Sequence, residues 1–468
     1  MKFIEGQDRH QLMIPDSLDQ HISSNNPIRF IDAFVGNLDI ETLGFITERK
    51  TSKGRAAYHP SAMLKLYIYG YLNKIRSSRD LERETYRNVE LYWLINHLHP
   101  DHSSIARFRK NNWKAIRNLC REFTLVCKKL DMFDKELIAI DGSFFKASAS
   151  KEKIVDRKTL KKKLKAIDKQ IEKYLQSMNS TDKAERGSDL SEASLNEKIT
   201  ALQDQKNLYQ AFEEQLETPD QKKSPADPDA RLLKKGGKAT LGYNIQTAVD
   251  PKHHLIVEHE VTTSGNDSNE LAKMSIKAKE TLEAEELKAV ADTGYQNSQE
   301  VKRCLENGIT PFVPERIQKK GDFSRDKFSY CSEKDCYYCP EGAELHFYSQ
   351  GRYKGRLMRR YKTPACGACR RRSECTSNKN GRIISRWVHE QILEEMRQRI
   401  KAHPDILKKR KSMVEHPFGT IKQAMGSHHF LTRGINNVKT EMSLHVLAYN
   451  LKRVLNAVSM EKLLAAVA

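Results

Sequence analysis

The chain has 468 residues, 38% of them apolar and 30% charged, with 81 Lys and Arg against 61 Asp and Glu and a net charge of +20. That is enough apolar material for cores in about three domains, and a basic excess of this size favours a phosphate-bearing partner, since each neutralised phosphate releases counterions. No run of about 18 apolar residues occurs, which excludes a transmembrane helix. Met1–Gly6 also lacks the apolar stretch of a signal peptide, so a cytoplasmic protein with no membrane partner is expected. Nine cysteines in such a compartment stay reduced or bind metal.

Residues 1–135 read as a helical N-terminal domain. Pro60 suits a first helical turn, and Met63, Leu64, Tyr67, Ile68 and Tyr71 follow at helical spacing. Ser77 or Ser78 can cap the next helix, and Asp101–Ser104 a third that carries Arg107, Arg109 and Lys110. Short capped helices with a basic last member fit a helix-turn-helix DNA reader, or an ordinary helical bundle with solvated cations.

The period changes at 136–149, where Leu137–Ile140 is a short buried-strand pattern closed by Asp141-Gly142. Residues 150–222 are charged and helical. Leu160, Leu164, Ile167, Ile171 and Leu175 approach a heptad seam, and Leu195, Leu202, Tyr209 and Leu216 repeat every seven. With the polar stretch Ser177–Ser191 between them, they predict an inserted helical hairpin that contacts DNA, contacts a second copy, or is a passive solvated insertion. Over 223–314, strands at Gly242–Val249 and Leu255–Thr262, a helix from Ser268, a strand ending at Asp292, a helix at Ser298–Glu306 and a strand at Ile309–Val313 predict a mixed α/β sheet.

Residues 315–385 form a Cys-rich, basic subdomain. The pairs Cys336/Cys339 and Cys366/Cys369 have the spacing of structural zinc ligands; free thiols are the alternative, and Cys331 and Cys375 are substitutes or spectators. Gly351–Arg372 holds nine basic residues and no acid, among them Arg359, Arg360, Arg370, Arg371 and Arg372, with Tyr353 and Tyr361 between: a phosphate-binding surface. Residues 386–468 are helical and complete the core. Val414, Phe418, Ile421 and Met425 share one face, with Lys411, Glu415 and Lys422 on its flank and Arg410 beside them. At Pro417 the helix either bends or begins, leaving Glu415 just outside. A last helix is expected over Val438–Val454.

Asp141, Asp292 and Glu415 each stand where a carboxylate could hold a metal ion. A phosphodiester repels nucleophiles and has a poor leaving oxygen; two Mg²⁺ (or Mn²⁺) ions held by three acids would answer both difficulties. Lys422 would hold a nearby phosphate.

At these residues the chain resembles bacterial insertion-sequence transposases of the DDE class, whose core is RNase H-like. Ile138-Ala139-Ile140-Asp141-Gly142 is similar to the first-acid motif and Ala291-Asp292-Thr293-Gly294-Tyr295 to the second. Lys411, Glu415 and Lys422 are similar to the third, with Lys408 and Lys411 where relatives carry Tyr and Arg. Lys is a poorer bidentate phosphate clamp than Arg. The resemblance implies a nucleoid-associated enzyme that binds the terminal inverted repeats of its element as double-stranded DNA. It would cleave a strand to free a 3′-OH and join that end to target DNA, with two protomers holding two ends. The alternatives are a DNA-binding regulator without catalysis and a metal-dependent nuclease or resolvase without strand transfer.

Overall fold

The computed structural model describes residues 17–47, 57–150, 154–181, 192–214, 216, 218, 221–235, 237–315 and 321–468. The segment Met1–Gly6 and most of the polar link Ser177–Ser191 lie outside the described residues. In chain order come α1 (Pro27–Gly36), α2 (Pro60–Leu72), α3 (Ser78–Thr85), α4 (Val89–Leu94), α5 (His102–Asn111), α6 (Trp113–Lys129) and β1 (Leu137–Lys146). The hairpin helices α7 (Arg157–Thr181) and α8 (Glu192–Glu214) precede β2 (Arg231–Lys235), β3 (Lys238–Val249), β4 (Ile256–Thr262), α9 (Leu271–Leu282), β5 (Leu287–Val290), α10 (Ser298–Glu306) and β6 (Ile309–Phe312). Then follow β7 (Ser329–Cys331), β8 (Cys336–Tyr338), β9 (Glu344–Tyr353), β10 (Arg356–Lys362), α11 (Arg372–Cys375) and β11 (Ile384–Trp387). Four helices finish the chain: α12 (Glu390–Ala402), α13 (Pro404–Gly419), α14 (Ile435–Ala457) and α15 (Met460–Val467). The architecture is mixed α/β, as the sequence pattern predicts.

The helix starts follow local chemistry. Pro60 is the first residue of α2, where its missing N–H costs nothing, and the His59 side chain accepts from Ser61 N. Asp101 caps α5 by accepting from Ser104 N at 2.9 Å, and Ser77 caps α3 through Asp80 N.

The chain divides into two compact units. One comprises Met1–Asp134, Gly142–Gly265 and Val414–Ala468. Its hub is α14, which packs on α2, α5, α6 and β4 and buries residues around its whole circumference, as a helix inside a core must. Asn450 imitates a strand residue there: its side chain accepts from Ile256 N at 2.9 Å and donates to Ile256 O at 2.8 Å. The helix is longer than expected, and α15 follows it. Strand β2, which the apolar pattern did not suggest, pairs antiparallel to the start of β3, and β4 pairs antiparallel to its end. The α7–α8 hairpin is anchored at its base by Val155, Leu160, Phe212 and Leu216. Farther out, Ile167, Leu195 and Ile199 are buried between the helices, so the expected seam continues, while Leu175 is exposed.

One buried side chain on α14, His445, makes this unit sensitive to pH, and Glu441 lies one turn before it. Glu441 accepts from Leu431 N, Thr432 N and Thr432 Oγ1, and Arg76 stands 3.8 Å away. His445 is fully buried, with Ser427 Oγ 3.1 Å from its Nδ1 and the Tyr71 ring against its face. Burial, then Arg76 and Arg109, hold its pKa well below the ordinary 6.5. Glu441 Oε1 lies 4.0 Å from Nε2, but its charge is already taken up by the groups just named. The unfolded chain therefore binds this proton more readily than the folded one. Stability is full above about pH 6.5 and is lost as pH falls below it. His445→Gln should flatten the decline in melting temperature between about pH 7.5 and 5.5; an unchanged slope would place the titration elsewhere.

The second unit comprises Lys135–Asp141 and Asn266–Met413. The first residues of β1 pair parallel to β5 and β5 to β6, with α9, α10 and α12 packed around them. A second, antiparallel sheet runs β11-β10-β9-β8-β7 around Phe328, Tyr337, Leu345, Tyr361 and Ile384. Among the described residues no helix is long and apolar enough to cross a membrane.

Candidate active site

Asp141 and Asp292 come together because of strand register. In the parallel pair β1–β5, Leu137 faces Lys288, Ile138 faces Ala289 and Ala139 faces Val290. Carried two residues further, the register sets Asp141 level with Asp292, just past the carboxyl end of β5. Strand β1 does not close at Asp141-Gly142 as expected but runs on to Lys146, so Asp141 sits midway along it, on a strand about 4.8 Å from its neighbour. The carboxyl ends of parallel strands are where open α/β sheets place their ligands.

One cation joins the two acids. The Arg410 guanidinium, on α13, donates to Asp141 Oδ1 at 3.0 Å and stands 3.6 Å from Asp292 Oδ2. Asp292 has a second duty: its Oδ1 accepts from Gly294 N at 2.7 Å and caps the turn Thr293–Tyr295. A Cβ on Gly294 would stand 2.8 Å from that oxygen, so a side chain there would crowd the carboxylate. Tyr295 is completely buried next to the acids. Burial, followed by the negative charges of Asp267, Asp141 and Asp292, pushes its phenol well above the usual range, so it stays neutral.

Asp267 is the residue that the sequence did not single out. Its Oδ2 lies 3.7 Å from the Cβ position of Gly294, and it acts on Tyr295 together with the two aspartates. The signal was present: it follows β4 across the loop Thr263–Asn266, an acid shortly after a strand, as Asp292 is after β5.

Glu415 and Lys422 belong to the first unit. Pro417 lies inside α13, so Glu415 is a helical, exposed residue and the helix does not begin at the proline. The backbone then widens into a π segment at Thr420–Ala424. Proline withholds the N–H that would bond to Met413 O, and a change of hydrogen-bond step shortly after it is one way to absorb the disruption. Lys422 is held on β1. Its Nζ donates to Ser143 Oγ at 2.6 Å and Phe144 O at 2.9 Å and lies 4.5 Å from the centre of the Phe145 ring. Lys422→Met keeps much of the stem and removes three donors. It should cost about 1–3 kcal/mol of stability and reduce activity without abolishing it. Loss of neither in urea titration and DNA-binding assays would remove Lys422 from both roles.

The basic residues divide into two kinds. Arg107 is exposed on α5, whereas Arg109 turns inward, its guanidinium over Tyr67 and 3.4 Å from Tyr71 Oη, which corrects its expected place on a DNA-facing surface. Arg371 is enclosed by Asp322, Glu341 and Glu374 at 3.1, 3.4 and 2.8 Å, so it supports its own subdomain and does not face phosphate. Arg359 is paired with Asp335 and lies over the Phe347 ring, and Arg372 donates to Lys379 O. Arg360 is on β10, Arg370 just before α11, and Lys411 exposed on α13. The acid-free stretch Gly351–Arg372 thus recruits carboxylates from outside itself.

The expected zinc set also changes. Cys336 is on β8, opposite Cys331 of β7, and Cys339 lies three residues on along an extended backbone, so the two point to opposite faces. Cys339, Cys366, Cys369 and Cys375 instead border one cavity. Among the described residues, no three His, Cys, Asp or Glu side chains are already arranged to hold a metal ion.

A piggyBac transposase synaptic complex with hairpin DNA, solved by cryo-EM, aligns with 97% of this chain and 81% of that one. Identity is 10% and the TM-score 0.31, a likeness too slight to carry fold or function. No curated protein matches the chain. Two families do: residues 16–111 match a transposase domain (DUF772) and residues 338–455 a transposase DDE domain. On these two separate segments the chain is similar to transposase domains, the second of them of the DDE kind.

Proposed function

We propose that the chain is an active insertion-sequence transposase. It binds the terminal inverted repeats of its element as double-stranded DNA, hydrolyses a strand to free a 3′-OH, and directs that hydroxyl at target DNA. The observation that carries this reading is the adjacency of Asp141, midway along β1, and Asp292, just past the end of the parallel strand β5, with one guanidinium between them.

The family implies divalent metal, and the residues fit it. Two carboxylates that already share a positive charge are hard oxygen donors, and Mg²⁺ needs only one or two such groups besides water and phosphate. Asp141, Asp292 and, by its sequence motif, Glu415 would hold Mg²⁺ or Mn²⁺. When bound, the ion supplies charge neutralisation and a more acidic water. The chain does the rest. Gly294 N and the two strands fix the carboxylates, and buried Tyr295 closes the floor without adding charge. Arg410 is placed to move from carboxylate to phosphate as DNA enters. Arg107, Arg360, Arg370 and Lys411 offer charge to the backbone, a sequence-independent contribution that weakens with salt. Two copies acting together, in the cytoplasm on nucleoid DNA, would hold the two ends.

The test is incubation of full-length protein and Mg²⁺ with DNA carrying the repeats that flank its gene. A nick at the repeat boundary that exposes a 3′-OH, followed by joined product, is the expected result. Nicking without joining would favour a nuclease, and binding without nicking a regulator.

A further inference from the structure

We propose that Cys339, Cys366, Cys369 and Cys375 form a four-thiolate zinc site, with Cys331 and Cys336 outside it. Four separate observations converge on this set. All four residues border a single cavity of about 30 Å³, closed by Phe323, Phe328 and Leu345. That is room for one or two water-sized spheres, a space that admits a single ion. Cys375 also lies within electrostatic range of Cys339, Cys366 and Cys369. Cys339 Sγ accepts a hydrogen bond from Ala343 N at 3.3 Å, within a turn in which Gly342 N donates to Cys339 O and Gly342 has φ +82°. Such a hydrogen bond fixes the direction of a ligating sulfur. Finally, Cys366 and Cys369 lie in and just after the tight turn Pro364–Gly367, and a Cβ on Gly381 would stand 2.7 Å from Cys366 Cβ, so the chain closes over that thiol from behind.

Four sulfurs select a thiophilic ion, since the carboxylate at the cavity, Glu341, is paired with Arg371 at 3.4 Å, and four thiolates without redox demand select zinc. The sulfurs need to swing inward from their ion-free positions. On binding, each thiol gives its proton to solvent and its electron pair to the ion, so affinity rises with pH. The ion would tie the turn after β8 to the end of α11, joining across Arg370–Arg372 two segments otherwise linked through the β9–β10 hairpin. Cys336, completely buried beside Cys331, contributes packing.

The experiment uses full-length protein purified without chelator. Metal analysis should find one zinc per chain and no iron. Alkylation of the native protein, mapped by peptide mass spectrometry, should label Cys339, Cys366, Cys369 and Cys375 only after chelator is added. Cys375→Ser should lose zinc, and Cys336→Ser should keep it. Protein without zinc, iron in its place, or zinc retained in Cys375→Ser but lost in Cys336→Ser would each overturn the assignment. Alkylation reads the wild-type chain, so a variant that fails to fold leaves the test intact.

Discussion

Asp141→Asn and Asp292→Asn are each expected to lower Mg²⁺-dependent strand cleavage by about a thousandfold or more, with binding to the element's ends unchanged or slightly tighter. Asparagine keeps the shape of the side chain and one carbonyl oxygen. At 141 it can still accept from Arg410, now 3.0 Å from Oδ1, and at 292 it can still cap Gly294 N. What it loses is charge. A neutral amide would hold Mg²⁺ far more weakly than a carboxylate, so the site would lose the ion and with it several kcal/mol of charge stabilisation at phosphorus, and each 1.36 kcal/mol is tenfold in rate. Removing a negative charge near the DNA also relieves repulsion, so binding should not fall. Glu415→Gln is expected to behave in the same way on the strength of its motif. A structural role would look different: if the aspartates only tether Arg410, then Arg410→Gln would reduce cleavage as much as either variant and melting temperature would fall in step. Nicking within tenfold of wild type in both aspartate variants would refute the assignment.

The first two acids were legible because each ends a short apolar run, and such an acid needs no distant information to be noticed. Their adjacency was not legible, since 150 residues, among them the charged hairpin and the antiparallel strands, separate Asp141 from Asp292 and only register brings them level. The cysteines failed for a related reason. A C-x-x-C spacing converges when the backbone turns, as it does at Cys366, and diverges when the backbone is extended, as it is from Cys336 to Cys339. Arg371 shows a third limit. Its local sequence has no acid before it back to Gly351, yet Asp322 and Glu341, 49 and 30 residues away, supply the charge. Local capping chemistry, by contrast, was read correctly at Pro60, Ser77 and Asp101, because each cap depends only on neighbours within three residues.

Gly242→Ala should be among the most destabilising single substitutions in the first unit, at about 3 kcal/mol or more. Gly242 is buried in β3, opposite Arg231 of β2. A Cβ there would stand 2.0 Å from Phe145 O, 3.0 Å from its carbonyl carbon and 3.3 Å from Lys146 Cα, all backbone atoms of β1. No rotamer can relieve such a clash, so the strands must separate. Separation would strain the bond from Ala147 N to Leu241 O at 3.0 Å and disturb Tyr243, whose hydroxyl donates to Asp227 Oδ1 at 2.7 Å from a fully buried ring. It would also shift Ser143 and Phe144, the acceptors of Lys422, so activity should fall along with stability. Gly36→Ala is the control. Gly36 ends α1 with nothing within 4 Å of its Cβ position, and the change should be neutral or stabilising by up to about 1 kcal/mol. Urea titration of both variants reads the difference directly. A cost below about 1 kcal/mol for Gly242→Ala, too small for overpacking against backbone, would mean that β3 and β1 do not approach as closely as described, and the placement of Lys422 on β1 would lose its support.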